Sequence, residues 1–180
     1  MKLTHKKSIS FETNFPASHS FDEIAKQLKD TNDKVFPHIM IIDDDNDDIE
    51  LLLEIIESNG YTLNAKIFND PFKAIKYLES EHEELEEPLP DLIILDIYMV
   101  VANGHNVLKT IKTIEKTADI PVLMYSSSTE DRDIMQTYRN KSIGFFNKPI
   151  DFKQFYKCIK NALPDFPFPL EKNIDPTYLH

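Results

Sequence analysis

The chain has 180 residues, a formal net charge of −11 and 41% hydrophobic residues. That is enough for one domain with its own core and too short for two ordinary domains. The acidic balance, with no long Lys/Arg cluster to offset it, argues against phosphate backbones and anionic lipid, so neither nucleic acid nor membrane is an expected partner. The single cysteine, Cys158, cannot close an internal disulfide, no apolar run approaches a membrane span, and MKLTHKKSIS lacks the apolar stretch of a secretory signal; a cytoplasmic location is the expectation.

Three regions follow one another: a polar N-terminal extension over 1–36, a domain over 37–163, and a tail over 164–180 carrying Pro164, Pro167, Pro169 and Pro176. In the extension, Ser20 and Glu23 form a capping box for a short helix that would bury Phe21, Ile24 and Leu28. The tail reads as extended. The domain alternates strand and helix five times. His38–Ile42 is a continuous apolar run, as a strand covered on both faces requires. Ile49, Leu52, Leu53 and Ile56 then recur at helical spacing, stopped by Asn59-Gly60. Leu63, Ala65 and Ile67 alternate with Asn64 and Lys66, which predicts an edge strand over Leu63–Phe68. Asp70-Pro71 opens a helix burying Ala74, Ile75 and Leu78. The six glutamates of Glu79–Glu87 read as a solvated helix end and loop.

Leu92–Leu95 is the third strand, and Val107, Leu108, Ile111 and Ile114 form the next helical stripe. Pro121–Tyr125 is the fourth strand. Ser128 and Asp131 resemble a capping box ahead of a helix burying Ile134, Met135 and Tyr138. Gly144–Asn147 is the fifth strand, and Asp151 with Gln154 caps a last helix burying Phe152, Phe155, Tyr156 and Ile159. Alternation with short links predicts an α/β fold: a doubly wound parallel sheet of five strands, order 2-1-3-4-5, helices on both faces. Chemistry in such sheets gathers beyond the carboxyl ends of the strands, between the first and third.

The residues at those ends are polar. The first strand runs into Asp43-Asp44-Asp45, the third into Asp96, the fourth into Ser126-Ser127 and the fifth into Lys148-Pro149. Two carboxylates about 4 Å apart repel by roughly 4 kcal/mol at an effective dielectric of about 20, so three on one rim call for a cation or a raised pKa. Oxygen ligands favour a hard ion such as Mg²⁺. With a lysine to neutralise phosphate oxygens and a hydroxyl to bond them, the set suits phosphoryl transfer to a carboxylate.

IMIIDDDNDD, DLIILDIYM, IPVLMYSSS and GFFNKPI together resemble the four signature segments of response-regulator receiver domains, in order and spacing, over residues 38–163. The resemblance implies the flavodoxin-like fold of single-domain, chemotaxis-regulator-like receivers in two-component signalling. Asp96 would be the phosphoacceptor. Mg²⁺ would lie among Asp43, Asp44, Asp96 and the backbone carbonyl of Tyr98, with Asp44 in direct contact and Asp43 acting through water. Ser126 and Lys148 would bind the phosphoryl group, and Ser126 with Phe145 would form the switch. The Lys148-Pro149 peptide would be cis. The expected partners are a sensor histidine kinase or phosphotransfer protein and an unknown downstream protein. The chain would act as a phosphoacceptor rather than an enzyme, signalling through protein contacts without its own output domain.

The sequence departs from the family at Met99-Val100-Val101-Ala102-Asn103-Gly104, where a proline commonly follows the Met and Asp-Gly closes the turn. Phe145 stands where Tyr is common, and Tyr98 is large. Rival readings are a phosphorylation-independent receiver serving as an interaction module, and a phosphohydrolase built on Asp43-x-Asp45. An EF-hand frame through Asp43, Asp45, Asp47 and Glu54 lacks its glycine, position 6 being Asp48. Asp45, Asp47 and Asp48 read as a solvated helix N-terminus suited to the macrodipole, and His38 and His105 as packing residues.

Overall fold

The computed structural model describes residues 34–80, 88–127, 130–166 and 168. Five strands, β1 (Lys34–Ile42), β2 (Tyr61–Phe68), β3 (Leu92–Asp96), β4 (Val122–Ser126) and β5 (Gly144–Asn147), form one parallel sheet in the order β2-β1-β3-β4-β5. This is the predicted fold and strand order. Helices α1 (Asn46–Ser58), α2 (Pro71–Glu79), α3 (Gly104–Thr113), α4 (Asp131–Arg139) and α5 (Phe152–Ala162) alternate with them, and a short 3₁₀ turn spans Glu115–Thr117.

Successive side chains on a strand point to opposite faces, and the core divides accordingly. Ile39, Ile41, Leu92, Ile94, Leu123 and Tyr125 pack with Ile49, Leu52 and Ile56 of α1 and Phe155, Tyr156 and Ile159 of α5. Met40, Ile42, Ile93, Leu95, Val122 and Met124 pack on the other face with Ala74 and Leu78 of α2 and Val107, Leu108 and Ile111 of α3. The helix ends follow their sequence signals. Asp45 Oδ1 accepts from Asp47 N at 2.9 Å, Asp70 Oδ1 from Phe72 N at 2.8 Å, and Asp151 Oδ1 from Gln154 N at 2.8 Å. Gly60, after Asn59, takes φ 81° where α1 stops, a conformation free of strain only without a Cβ.

Several expectations change. β1 begins at Lys34 and β2 at Tyr61, earlier than the apolar runs suggest, because Lys34 and Val35 already pair with Tyr61 and Thr62. Pro37 sits where that register shifts, before β3 joins β1 at Ile39, so its missing N–H breaks no ladder on that side. Ile67 is exposed, and β2 is anchored instead by buried Tyr61. β5 is the second edge of the sheet, so Phe145 and Phe146 are half-buried rather than enclosed.

The largest departure is α4. Glu130, not Ser128, is its N-cap, without a side-chain cap bond; Ser128 lies outside the described residues. Its buried residues are Asp133 and Thr137, Ile134 is half-buried, and Met135 and Tyr138 are 55% and 60% exposed. The apolar spacing of Ile134, Met135 and Tyr138 misled because only one of the three faces the body of the domain. At the start of the tail, Phe168 packs on Tyr156 with ring centroids 5.6 Å apart, so the chain does not simply extend beyond α5. The predicted helix over residues 20–28 and most of the Glu-rich segment, residues 81–87, lie outside the described residues.

Gly104 opens α3 directly beneath β3. A Cβ built there would stand 2.0 Å from the Asp96 carbonyl oxygen and 2.8 Å from Ile97 Cα, and Gly104 N donates to Ile97 O at 2.8 Å. Both obstacles are backbone, which cannot swing aside. Gly104→Ala is expected to lower stability in urea unfolding by about 2 kcal/mol or more, in the range of overpacked cores; an unchanged midpoint would show that the turn can move.

Candidate functional site

Strand register assembles the site. Ile42 pairs with Leu95, so the next residues, Asp43 and Asp96, stand side by side. Asp96 pairs with Tyr125 and Ser126 with Asn147, which brings Ser126 and, one step on, Lys148 to the same rim. The Lys148-Pro149 peptide is cis. Asp43 and Asp96 are 2% and 4% exposed and Ser126 is fully buried.

Lys148 Nζ lies 2.7 Å from Asp43 Oδ2, 2.8 Å from Asp48 Oδ2 and 3.2 Å from Asp96 Oδ1. Three carboxylates meet the three N–H donors that an ammonium owns. Its fourth neighbour is aromatic, the Tyr125 ring, with its centroid 5.3 Å away. Burial would pull the Lys148 pKa down, but the hydrogen bonds it donates to Asp43 and Asp48, with the charge of Asp96, push it above the ordinary lysine value. The ammonium is therefore permanently charged at neutral pH. Burial raises the Asp43 carboxyl against the opposing pull of Lys148 and the Asp45 N–H. Asp96 is pushed up to about 6, first by burial and further by the charge of Asp43, with Lys148 opposing both. Asp96 thus remains mainly ionised at neutral pH.

Asp44 is half-buried and faces the β3–α3 loop, where its Oδ2 accepts from Val100 N at 2.6 Å. One carboxylate oxygen each from Asp43, Asp44 and Asp96 lie within 4.8 Å of one another. An all-oxygen set this close, with more carboxylates than Lys148 can neutralise, fits a hard divalent cation. Phe145 is half-buried and packs against the α2/α3 side of the core.

Asp48 needs correction: it is not a solvated helix-end residue but a partner of Lys148. The signal was present in its spacing, since Asp48 lies four residues before buried Leu52 and thus on the inward stripe of α1. Asp45 and Asp47 are exposed, with Asp45 capping α1. This dismantles two rivals. Asp45 does not enter the rim, so no Asp-x-Asp pair forms, and a helix starting at Asn46 occupies the space of an EF-hand loop. His105 is packed beside Asp133. It is 1% exposed, and its Nε2 lies 3.7 Å from Asp133 Oδ1, longer than a hydrogen bond. Burial lowers its pKa while Asp133 opposes the shift. Tyr98 Oη donates to Asp133 Oδ2 at 2.6 Å.

The family profile described as the response regulator receiver domain matches residues 39–160, and the chain belongs to that family. Among relatives, it is 30% identical over 122 residues to the "Probable methanogenesis regulatory protein FilR2" of Methanothrix harundinacea, covering 68% of this chain and 78% of that one. It is 25% identical to response regulator Rcp1 of Synechocystis, covering 68% and 83% of the two chains. Among solved structures, it resembles the bacteriophytochrome response regulator AtBRR with TM-score 0.63 and 27% identity, over 79% of this chain and all (100%) of that one. It resembles the phosphorylated cyanobacterial phytochrome response regulator RcpA with TM-score 0.57 and 27% identity, over 73% and 91%. No helix among the described residues is long and apolar enough to cross a membrane.

The raised Asp96 pKa gives a pH test. A carboxyl whose folded value, about 6, exceeds its free value, 3.8, favours folding fully below the free value, and that contribution is lost as pH rises through about 6. In metal-free buffer, Asp96→Asn is expected to stabilise the protein at pH 7.5 by about 1–3 kcal/mol in urea unfolding. The gain should shrink toward pH 4.5; an equal gain at both values would place the cause elsewhere than in ionisation.

Proposed function

We propose that this receiver accepts a phosphoryl group on Asp96 from a histidine kinase or phosphotransfer protein and signals through protein–protein contacts. The observation that carries this reading is the ammonium of Lys148 held 3.2 Å from Asp96 Oδ1 beside two further carboxylates. An Asp96 oxygen forms the new bond to phosphorus as the phosphorus–nitrogen bond of the donor phosphohistidine breaks and the imidazole leaves. Lys148, already charged, pairs with the phosphoryl oxygens, and the Ser126 hydroxyl bonds one of them. Asp43, Asp44, Asp96 and the Tyr98 carbonyl would hold Mg²⁺. When bound, the ion would offset the carboxylate charge and that of the incoming phosphoryl oxygens. Rcp1, one of the relatives, has been solved in a Mn²⁺-bound form, and RcpA in a phosphorylated form; both lend support by family.

The chain is a phosphoacceptor in this reading, not a turnover enzyme. The gathered acids and Lys148 favour it over the phosphorylation-independent module. In FilR2 and Rcp1 the matched region makes up 78% and 83% of the chain. In the switch, Ser126 would move toward the phosphoryl group and Phe145, only half-buried, would turn inward. Shifting such an equilibrium from 1:99 to 99:1 needs roughly 5.5 kcal/mol of differential stabilisation. A reducing, cytoplasmic setting suits the lone Cys158.

Incubation with acetyl phosphate and Mg²⁺ should give a phosphoryl adduct by intact-mass spectrometry. The adduct should disappear in Asp96→Asn or with EDTA and fall at least about tenfold in rate in Lys148→Ala, a loss of charge stabilisation at the transferring group. No adduct on the wild type, or an undiminished one on Asp96→Asn, would defeat the reading.

A further inference from the structure

Two observations about α4 belong together. First, the helix is docked by its polar side: Asp133 and Thr137, four residues apart, are 3% and 0% exposed, while Met135 and Tyr138 face solvent. Little apolar area therefore holds α4 to the domain, and burying a charged group demands partners. Second, the partners come from the segment that follows the phosphoacceptor strand. Tyr98 Oη donates to Asp133 Oδ2 at 2.6 Å, and His105 Nε2 stands 3.7 Å from Asp133 Oδ1. One carboxylate oxygen is thus bonded by Tyr98 of the β3–α3 connection, and the other faces the His105 ring in the first turn of α3.

The connection is closed on itself. Tyr98 and Asn103 form an antiparallel backbone bridge, and Asn103 Oδ1 accepts from His105 N at 2.9 Å. Asp133, from a second element, then ties down the Tyr98 hydroxyl and packs beside the His105 ring. A shift of α4 must break the Tyr98 bond or carry the loop with it, and a rearrangement of the loop must do the same to α4.

We propose that Tyr98, Asp133 and His105 form a latch that couples the position of α4 to the loop bearing the Tyr98 carbonyl. In this arrangement Asp133 is a positioning residue: it touches no reacting atom and acts through Tyr98. The link to the metal rests on the reading above, in which that carbonyl is a ligand; the link between loop and helix does not. Coupling of this kind is reciprocal. A change on α4 must alter Mg²⁺ affinity by the same factor by which Mg²⁺ alters the stability of α4.

The test uses the full chain as wild type, Tyr98→Phe, Asp133→Ala and the double variant, with Mg²⁺ as the added ligand. Hydrogen exchange by mass spectrometry reads α4, and calorimetric titration reads Mg²⁺ affinity. Without metal, Tyr98→Phe, which removes only a hydroxyl, is expected to speed exchange over 131–139 by about tenfold while the β-strand amides keep their protection, a local rather than global opening. Mg²⁺ should bind Tyr98→Phe about fivefold or more weakly, within the usual range of coupling between sites. In the Asp133→Ala background, Tyr98→Phe should change neither quantity further. Asp133→Asn, close in shape, guards against an Asp133→Ala chain that fails to fold. Unchanged α4 exchange in Tyr98→Phe, or independent effects in the double variant, would overturn the latch. Absence of Mg²⁺ binding to the wild type would overturn the Mg²⁺-dependent phosphoacceptor reading and the metal link, leaving the metal-free exchange to decide whether the loop and helix are joined.

Discussion

One ammonium makes this domain possible. The strand order sets Asp43 beside Asp96 in a place where water reaches neither, and Asp48 enters from α1. Without a counter-charge, such a cluster would protonate or open. Lys148, carried in from the far edge of the sheet, faces all three with its donors. Removing the sole cation of a buried charge group commonly costs about 3–5 kcal/mol because the carboxylates are left uncompensated. The arrangement still leaves carboxylate charge in excess, and that excess fits the rim to a hard divalent cation. Structural compensation and chemical readiness therefore come from the same balance.

The same cluster shifts Asp96 and Lys148 both upward, with opposite effect on charge: the ionised form is disfavoured in Asp96 and favoured in Lys148. Asp96 is dominated by its burial and by the neighbouring Asp43, which push its pKa up. Lys148 is buried as well, yet its acidic partners more than offset the desolvation that would lower it. A carboxylate that is uneasy when ionised and a lysine that cannot lose its proton form an asymmetric pair, suited to a group that receives negative oxygens and a group that neutralises them.

Much of this was legible in the sequence. Continuous apolar runs marked central strands, Asp70-Pro71 and Asn59-Gly60 marked helix ends, and polar residues immediately after strands marked the rim. What escaped has physical reasons. Asp48 looked like one acid among several at a helix start, and only its place on the stripe of Leu52 distinguishes it. α4 misled because an apolar spacing of Ile134, Met135 and Tyr138 says nothing about which side a helix turns to its neighbours, and here polar contacts from a distant segment decide. The partnership of Tyr98, Asp133 and His105 joins residues far apart in the chain, and no local pattern encodes it. Pro37, inside a strand, was harmless for a similar reason: its neighbour on that side joins only later.

The β3–α3 connection departs in sequence from what its family commonly shows, yet its path is secured by parts that ignore side-chain identity over most of its length. Gly104 packs flat against the Asp96 carbonyl, the Tyr98–Asn103 backbone bridge closes the loop, and Asp44 grips the Val100 amide. Val100 and Val101 project outward, 94% and 56% exposed. Path and surface are thereby uncoupled: the main chain holds its curve beside the acidic rim, and the outward positions are free to vary in texture without disturbing the packing beneath.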